Sequence, residues 1–282
     1  MKKVFCFVFA LALILSACAT NEAPAEIPTN EPVVATPAPQ ATPSPSLTPT
    51  HTPTPEPTPT PTPLSERGKS ELLRFENEDN GEYMDYWLRI PDNAVEGMPI
   101  LVFLHGDGNV ARPESLENNP ISCAVEEIYG DEAPFILLMP NTRTASWTAG
   151  NIPANLIALI DSVAESYAAD KEKIILSGHS RGAIGTWYYI SSYPDYFSAA
   201  APISCGCDEF LSYENMAKVP VWGFCGDVGQ DGSHYLPAME RIAEGINDAG
   251  GSAKIDVLAG CDHAASEKAA WTKEVFTWLI SQ

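Results

Sequence analysis

Short runs of consecutive apolar residues constrain the fold of this 282-residue chain more than any other feature. A strand that is covered on both faces carries such a run, whereas a strand with one solvated face alternates between apolar and polar residues. Clear runs lie at residues 100–104, 135–139, 174–176 and 219–224, and weaker ones at 199–203 and 253–258. Helical patterns alternate with them at residues 155–169, 183–193, 235–249 and 267–280. This alternation predicts an α/β fold, with a mostly parallel twisted sheet and helices on both faces.

Two earlier segments, residues 72–76 and 84–90, alternate in polarity around the turn Asp79-Asn80-Gly81 and predict a pair of edge strands. The folded region is therefore expected at residues 64–282, a length that suits one α/β domain. In open parallel sheets the ligand site lies at the carboxyl ends of the strands. Residues that follow the predicted strands are thus the candidates for chemistry.

The N-terminal residues have the composition of a signal peptide and a spacer. Lys2 and Lys3 precede an apolar run over residues 4–15, which is too short to span a bilayer, since a spanning helix needs about 20 residues. The run ends in Leu15-Ser16-Ala17-Cys18, which resembles the lipobox of bacterial lipoproteins. That resemblance implies a signal peptide at residues 1–17 and a lipid on Cys18. An ordinary secretory signal is the alternative, and both place the mature protein outside the cytoplasm.

Residues 18–63 are dominated by Thr-Pro pairs. Proline fixes φ and removes a backbone donor, so this stretch is expected to be an extended, solvated linker that holds the folded domain away from the membrane. The chain has 37 acidic and 16 basic residues and a formal net charge of −21 at pH 7. Nucleic acids and anionic membrane surfaces both attract clustered Lys and Arg. Neither is expected as a partner, and membrane contact is expected only through the lipid anchor to the bacterial cell membrane.

The motif Gly178-His179-Ser180-Arg181-Gly182 lies directly between a predicted strand and a predicted helix. A tight turn in that context forces the serine into a strained backbone conformation and presents its hydroxyl at the edge of the sheet. The backbone N–H of Arg181, at the start of the helix, would then point at a developing oxyanion. The pattern predicts that Ser180 is a nucleophile. A structural serine in a glycine turn is the alternative.

With these motifs the region of about residues 84–282 resembles the α/β-hydrolase superfamily. It is most similar to secreted esterases related to polyhydroxybutyrate depolymerases and feruloyl esterases, and to the phospholipase/carboxylesterase group. The resemblance implies a catalytic triad in the chain order Ser, acid, His, with the acid after the next-to-last main strand. It implies no cofactor, and no metal is expected.

A serine nucleophile needs a base with a pKa near neutrality. His263 follows the last predicted strand, which is the family's position for the base, and His234 is the alternative. The acid is expected in the loop after residues 219–224, where Asp231 is favoured over Asp227 because it lies closer to the following helix. Asp262 adjoins the base and is expected to be a solvated carboxylate.

The segment His105-Gly106-Asp107-Gly108 resembles the family's oxyanion loop, and the resemblance makes the N–H of Asp107 the second oxyanion donor, beside that of Arg181. A simple strand-terminating turn is the alternative. Trp147 follows another strand, so it is expected either to line the substrate cleft or to pack in a loop.

Four cysteines fall just after predicted strands, at positions 205, 207, 225 and 261. An extracytoplasmic location permits disulfides, so one bridge or more is expected, with free thiols as the alternative. Cys123 is expected to be a core residue. No usual C-x-x-C spacing occurs, which argues against a zinc site.

Together these features predict an extracytoplasmic serine esterase that is a monomer and uses no cofactor. Its partner is an ester substrate, and the acyl groups that it removes are carried by polysaccharides. A serine peptidase of the same fold is the first alternative. A catalytically inactive surface-binding module is the second.

Overall fold

The computed structural model describes residues 68–207 and 211–282. The predicted signal peptide, Cys18 and the linker of residues 18–63 lie outside the described residues. Among the described residues, no helix has the length and apolar character that crossing a membrane requires.

One eight-stranded sheet organises the domain, with strand order β1-β2-β4-β3-β5-β6-β7-β8. Its strands are β1 Lys69–Asn77, β2 Glu82–Ile90, β3 Ile100–Leu104, β4 Ile136–Asn141, β5 Ile174–His179, β6 Ala199–Ile203, β7 Val221–Gly226 and β8 Ala253–Leu258. The β1–β2 and β2–β4 pairs are antiparallel, whereas all pairs from β4 to β8 are parallel. The predicted edge hairpin and the mostly parallel sheet are confirmed.

In the part of the chain that the structure describes, seven α-helices surround this sheet: α1 Pro120–Tyr129, α2 Ile152–Ser166, α3 Arg181–Ser192, α4 Tyr213–Met216, α5 Leu236–Asp248, α6 His263–Ala269 and α7 Lys273–Ser281. Short 3₁₀ helices lie at Asp107–Asn109 and Pro113–Asn118, and a π-helical turn at Asp231–Tyr235 precedes α5.

The core has two parts, one on each face of the sheet. In β3, Ile100, Val102 and Leu104 pack into the part that includes α2, α3 and α5, while Leu101 and Phe103 pack into the part that includes α1 and α7. Successive side chains of a strand point to opposite faces, so a strand between two helical layers must be apolar at every position. This is why the apolar runs predicted the sheet correctly.

Two helical predictions need correction. The single helix predicted at residues 267–280 is two helices, α6 and α7. Trp271 between them is buried against Phe276, with ring centroids 5.2 Å apart, and the Thr272 hydroxyl accepts a hydrogen bond from Val275 N at 3.3 Å to cap α7. Helix α1 was not predicted, although Asn119 caps it and Pro120 begins it, both of which are helix-start signals.

Candidate active site

The turn from β5 to α3 has the strained geometry that the G-x-S-x-G motif predicts. Ser180 has φ 57° and ψ −115°, a left-handed conformation that is rare for a residue other than glycine. A Cβ on Gly182 would lie 1.8 Å from the carbonyl oxygen of Leu104, and one on Gly178 would lie 2.4 Å from the backbone of Gly182. The glycines therefore permit β5, α3 and the end of β3 to approach each other, and the turn holds Ser180 above the sheet.

A hydrogen-bonded chain of three side chains starts at this serine. Nε2 of His263 lies 2.9 Å from Oγ of Ser180, and Nδ1 of His263 lies 2.7 Å from Oδ1 of Asp231. Ser180 follows β5, Asp231 follows β7 and His263 follows β8, so the carboxyl edge of the parallel sheet brings together residues that are distant in the sequence. The structure thus joins the favoured acid, the favoured base and the serine.

Asp231 is fully buried. Its Oδ2 accepts hydrogen bonds from Ser204 Oγ at 2.6 Å, Ser266 Oγ at 3.0 Å and Gly226 N at 3.2 Å. Buried carboxylates are costly unless donors replace the lost water. These three donors and the imidazole of His263 supply that replacement, so the site can hold a negative charge behind the imidazole.

The alternative residues lie elsewhere. Asp227 is exposed, and its Oδ1 accepts a hydrogen bond from Gly260 N at 2.7 Å. His234 is exposed and contacts Ser233. Asp262 accepts a hydrogen bond from Ala265 N at 2.9 Å, so it caps α6 and is more than a solvated loop carboxylate.

The predicted oxyanion loop lies against Ser180. A Cβ on Gly106 would be 3.2 Å from Cβ of Ser180, which shows how closely the two backbones approach. Asp107 begins the 3₁₀ turn after β3, and Arg181 is the first residue of α3. Oδ1 of Asp107 lies 3.4 Å from Nε of Arg181, and both side chains are more than half exposed. This ion pair therefore lies at the solvent side of the cleft, with the two backbones beneath it.

His105 supports this loop from below. Its Nδ1 donates to the Gly106 carbonyl at 2.7 Å, because a carbonyl can only accept, and its Nε2 accepts from Thr142 N at 3.1 Å. Burial lowers the pKa of His105 to about 4, so the ring is neutral near pH 7. His105 is thus a structural histidine.

Trp147 does not line the substrate cleft, which was one of the two positions expected for it. Its side chain is only 2% exposed, and its indole N–H donates to the His105 carbonyl at 2.9 Å. A Cβ on Gly185 of α3 would lie 2.8 Å from it. Trp147 therefore packs in the core, against helix α3 and the end of β3, and its ring does not line the cleft.

A cleft of about 690 Å³ opens above Ser180. It is also lined by Ile184 of α3, and by Gln230 and Tyr235 at the π-helical turn. The Tyr235 ring centroid lies 5.3 Å from that of His263. Sequence reasoning missed these three residues, because a side chain on a helix carries no local signal that it faces a cleft.

Four cysteines in residues 68–207 and 211–282 are free thiols, at positions 123, 205, 225 and 261. Of the two expectations, the structure has the free thiols in this part of the chain. Cys123 is exposed, so its assignment to the core was wrong: it lies on the outer face of α1.

Comparisons with known proteins bear on this geometry. Solved structures similar to this domain include a thermostable esterase (TM-score 0.61, 22% identity, 76% of this chain and 63% of that one) and a ferulic acid esterase (TM-score 0.60, 14% identity, 76% of this chain and 98% of that one). The domain has the α/β-hydrolase fold. The expected fold class is therefore confirmed.

The relatives found by sequence match this chain over only part of their own length. Acetylxylan esterase A of Aspergillus awamori is 24% identical over 190 residues, which cover 60% of this chain and 58% of that protein. Feruloyl esterase B of Neurospora crassa is 29% identical over 127 residues, 41% of each chain. The chain thus spans less than two thirds of the length of these curated relatives. No protein-family model matches the sequence.

Proposed function

We propose that this protein is a serine carboxylic ester hydrolase that removes acyl groups from polysaccharides. The observation that carries the proposal is the hydrogen-bonded chain Ser180–His263–Asp231 at the strained turn after β5. The similarity of the amino-acid sequence to acetylxylan and feruloyl esterases supports polysaccharide esters as the substrate class. The cleft needs no cofactor for this chemistry, since a positioned serine, base and acid suffice.

In the proposed mechanism, His263 Nε2 accepts the hydroxyl proton of Ser180 as Oγ attacks the ester carbonyl carbon. Asp231 holds the ring through Nδ1–H and stabilises the imidazolium that forms. The carbonyl oxygen becomes an oxyanion, which the backbone N–H groups of Asp107 and Arg181 stabilise together with the N-terminus of α3.

The tetrahedral intermediate then collapses, and its C–O bond to the alcohol breaks. The leaving alcohol takes the proton from His263, which leaves an acyl-enzyme on Ser180. A water molecule gives a proton to His263 and attacks the acyl carbon. The second intermediate releases the carboxylic acid as Oγ of Ser180 recovers its proton.

The decisive test compares p-nitrophenyl acetate, acetylated xylan and feruloylated xylan as substrates of the wild type and of Ser180→Ala. We expect ester turnover in the wild type and a loss of about 10⁴-fold or more in the variant. Ser233→Ala is the matched control, since Ser233 is exposed and donates to the Gly229 carbonyl. A fluorophosphonate probe should label the wild type and Ser233→Ala only.

The alternatives have their own outcomes in this experiment. Faster turnover of peptide p-nitroanilides than of esters would indicate a peptidase. Absence of both turnover and labelling would indicate a binding module on an inactive scaffold. Activity on small esters but on neither xylan would overturn the polysaccharide part of the proposal alone.

We also infer an extracytoplasmic location with a lipid on Cys18, from the Leu15-Ser16-Ala17-Cys18 sequence. Palmitate labelling and membrane fractionation of the full chain in a bacterial host test this. The wild type should incorporate label and partition with membranes, and Cys18→Ser should do neither. Equal partitioning of the two proteins would contradict the lipid anchor.

A further inference from the structure

A second pair of an acid and an imidazole lies behind His263, and the proposed mechanism does not use it. His179 Nε2 is 2.9 Å from the backbone carbonyl oxygen of His263. His179 Nδ1 is 3.2 Å from Oε2 of Glu267, and the side chains are only 9% and 14% exposed. Oε1 of Glu267 accepts a hydrogen bond from Nδ2 of Asn119 at 3.0 Å. These contacts link the residue before the nucleophile to the backbone of the base.

Each of these atoms can be assigned as a hydrogen-bond donor or acceptor. The carbonyl oxygen of His263 can only accept, so Nε2 of His179 must carry a hydrogen. Nδ1 of a neutral ring and Oε2 of an ionised carboxylate would then be two acceptors facing each other at 3.2 Å. One proton must therefore lie between them, either on His179, which makes an ion pair, or on Glu267, which makes a neutral pair.

Burial favours the neutral arrangement. Burial and, to a smaller extent, the neighbouring His263 lower the pKa of His179 to about 4, against smaller opposing effects of its hydrogen bond to the His263 carbonyl and of Asp231. Burial also raises the pKa of Glu267, against the hydrogen bond from Asn119 and the influence of His263. The charged forms of both residues are thus disfavoured in the same place, and the groups that face the pair, His263 and Asp231, do not reverse either direction.

We propose that Glu267, as a protonated acid, donates to a neutral His179, and that this pair is a positioning element that holds His263 through its backbone carbonyl. The inference rests on the proposed function for its effect on catalysis. Ser180 and His179 are consecutive, so one rigid turn contacts both ends of the base: Ser180 at the ring and His179 at the backbone.

The neutrality of the pair has a consequence for the chemistry. The ring centroids of His179 and His263 lie 4.7 Å apart, with planes at 37°. A cationic His179 at that distance would oppose the imidazolium that His263 must form during acyl transfer. A neutral His179 anchors the start of α6 without that repulsion.

Variants at Glu267 test the proposal through activity. In Glu267→Gln the side-chain oxygen can still accept from Asn119 while the amide N–H donates to Nδ1 of His179, which reproduces the protonated acid. Glu267→Ala removes both contacts, and we expect kcat to fall about 10- to 100-fold with little change in KM, since a small misplacement of a catalytic group costs about that much. Glu267→Gln should rescue most of the loss, and the exposed Glu244→Ala is the surface control.

A measurement on the histidine rings separates this proposal from the proposed function. Long-range ¹H–¹⁵N spectra of the full chain near pH 7, with His179 assigned by its absence in His179→Asn, report which ring nitrogens carry hydrogen. We expect His179 to be protonated only on Nε2, in both the wild type and Glu267→Gln, whether or not the protein hydrolyses esters. Two protonated nitrogens would overturn the neutral pair, and equal kcat losses in Glu267→Gln and Glu267→Ala would overturn the positioning role.

Discussion

At the scale of single residues, the two candidate acids show how position within one loop sets a role. Both Asp227 and Asp231 follow β7. Asp227 comes directly after the strand and turns outward to the backbone of Gly260. The π-helical turn begins four residues later and directs Asp231 inward, where the hydroxyl groups of Ser204 and Ser266 donate hydrogen bonds to its carboxylate. The two carboxylates therefore differ in their partners: one faces the solvent and the other faces the imidazole of His263.

This contrast predicts different effects of the same substitution. Asp231→Asn should lower kcat by about 10³- to 10⁴-fold, because a neutral amide cannot stabilise the imidazolium of His263 as a carboxylate does. Asp227→Asn keeps an acceptor for Gly260 N and should leave kcat within about 2-fold, since surface changes have small effects. Steady-state kinetics on p-nitrophenyl acetate checks both. A larger loss in Asp227→Asn than in Asp231→Asn would reverse the assignment of the acid.

At the scale of elements, the turn between β5 and α3 depends on close packing against β3. Leu104 is opposite Gly178 in the parallel ladder, and its carbonyl lies directly beside Gly182. The strained φ of Ser180 is maintained because these neighbours sterically exclude other conformations of the turn. The close packing of β5, α3 and the end of β3 thus sets the backbone position of Ser180.

A methyl group tests that packing. Gly182→Ala should destabilise the domain by about 1–3 kcal/mol or more, since the new Cβ has no space beside Leu104 and overpacking forces backbone shifts. Gly108→Ala is the matched control, because no heavy atom lies within 4 Å of its Cβ position. Urea unfolding at pH 7 measures both. Equal stability of the two variants would contradict the close approach of α3 to β3.

At the scale of the whole molecule, the buried His105 links folding to pH. His105 is neutral in the folded protein, because burial lowers its pKa from 6.5 to about 4. An unfolded chain binds a proton at this residue from about pH 6.5 downward. The unfolded state therefore gains protons that the folded state does not bind, and folding stability must fall as the pH falls through this range.

We expect the free energy of unfolding to be constant, as far as His105 contributes, above about pH 6.5 and to fall between pH 6.5 and 4, by about 3 kcal/mol at the lower end. His105→Asn keeps a donor toward Gly106 but cannot titrate, so its stability should be lower at pH 7 and less dependent on pH. The exposed His234→Asn is the control. Urea titrations at pH 7.5 and 4.5 measure the difference, and an identical pH dependence in His105→Asn and the wild type would contradict the prediction.

The sequence by itself determined the sheet, the helical layers and the residues Ser180 and His263 as candidates. These follow from local signals: apolar runs report strands buried on both faces, and G-x-S-x-G between a strand and a helix reports a tight turn. The start of α1 also has a local signal, at Asn119 and Pro120, although no helix was predicted there.

Only the tertiary structure placed Asp231, and not Asp227, against His263. It also buried Trp147, divided α6 from α7 and joined His179 to Glu267. Most of these depend on contacts between segments that are far apart in the sequence, such as His179 and His263, which are 84 positions apart. Residue type and spacing along the chain do not encode such distances. They are set when the strands align and their carboxyl ends meet at one edge of the sheet.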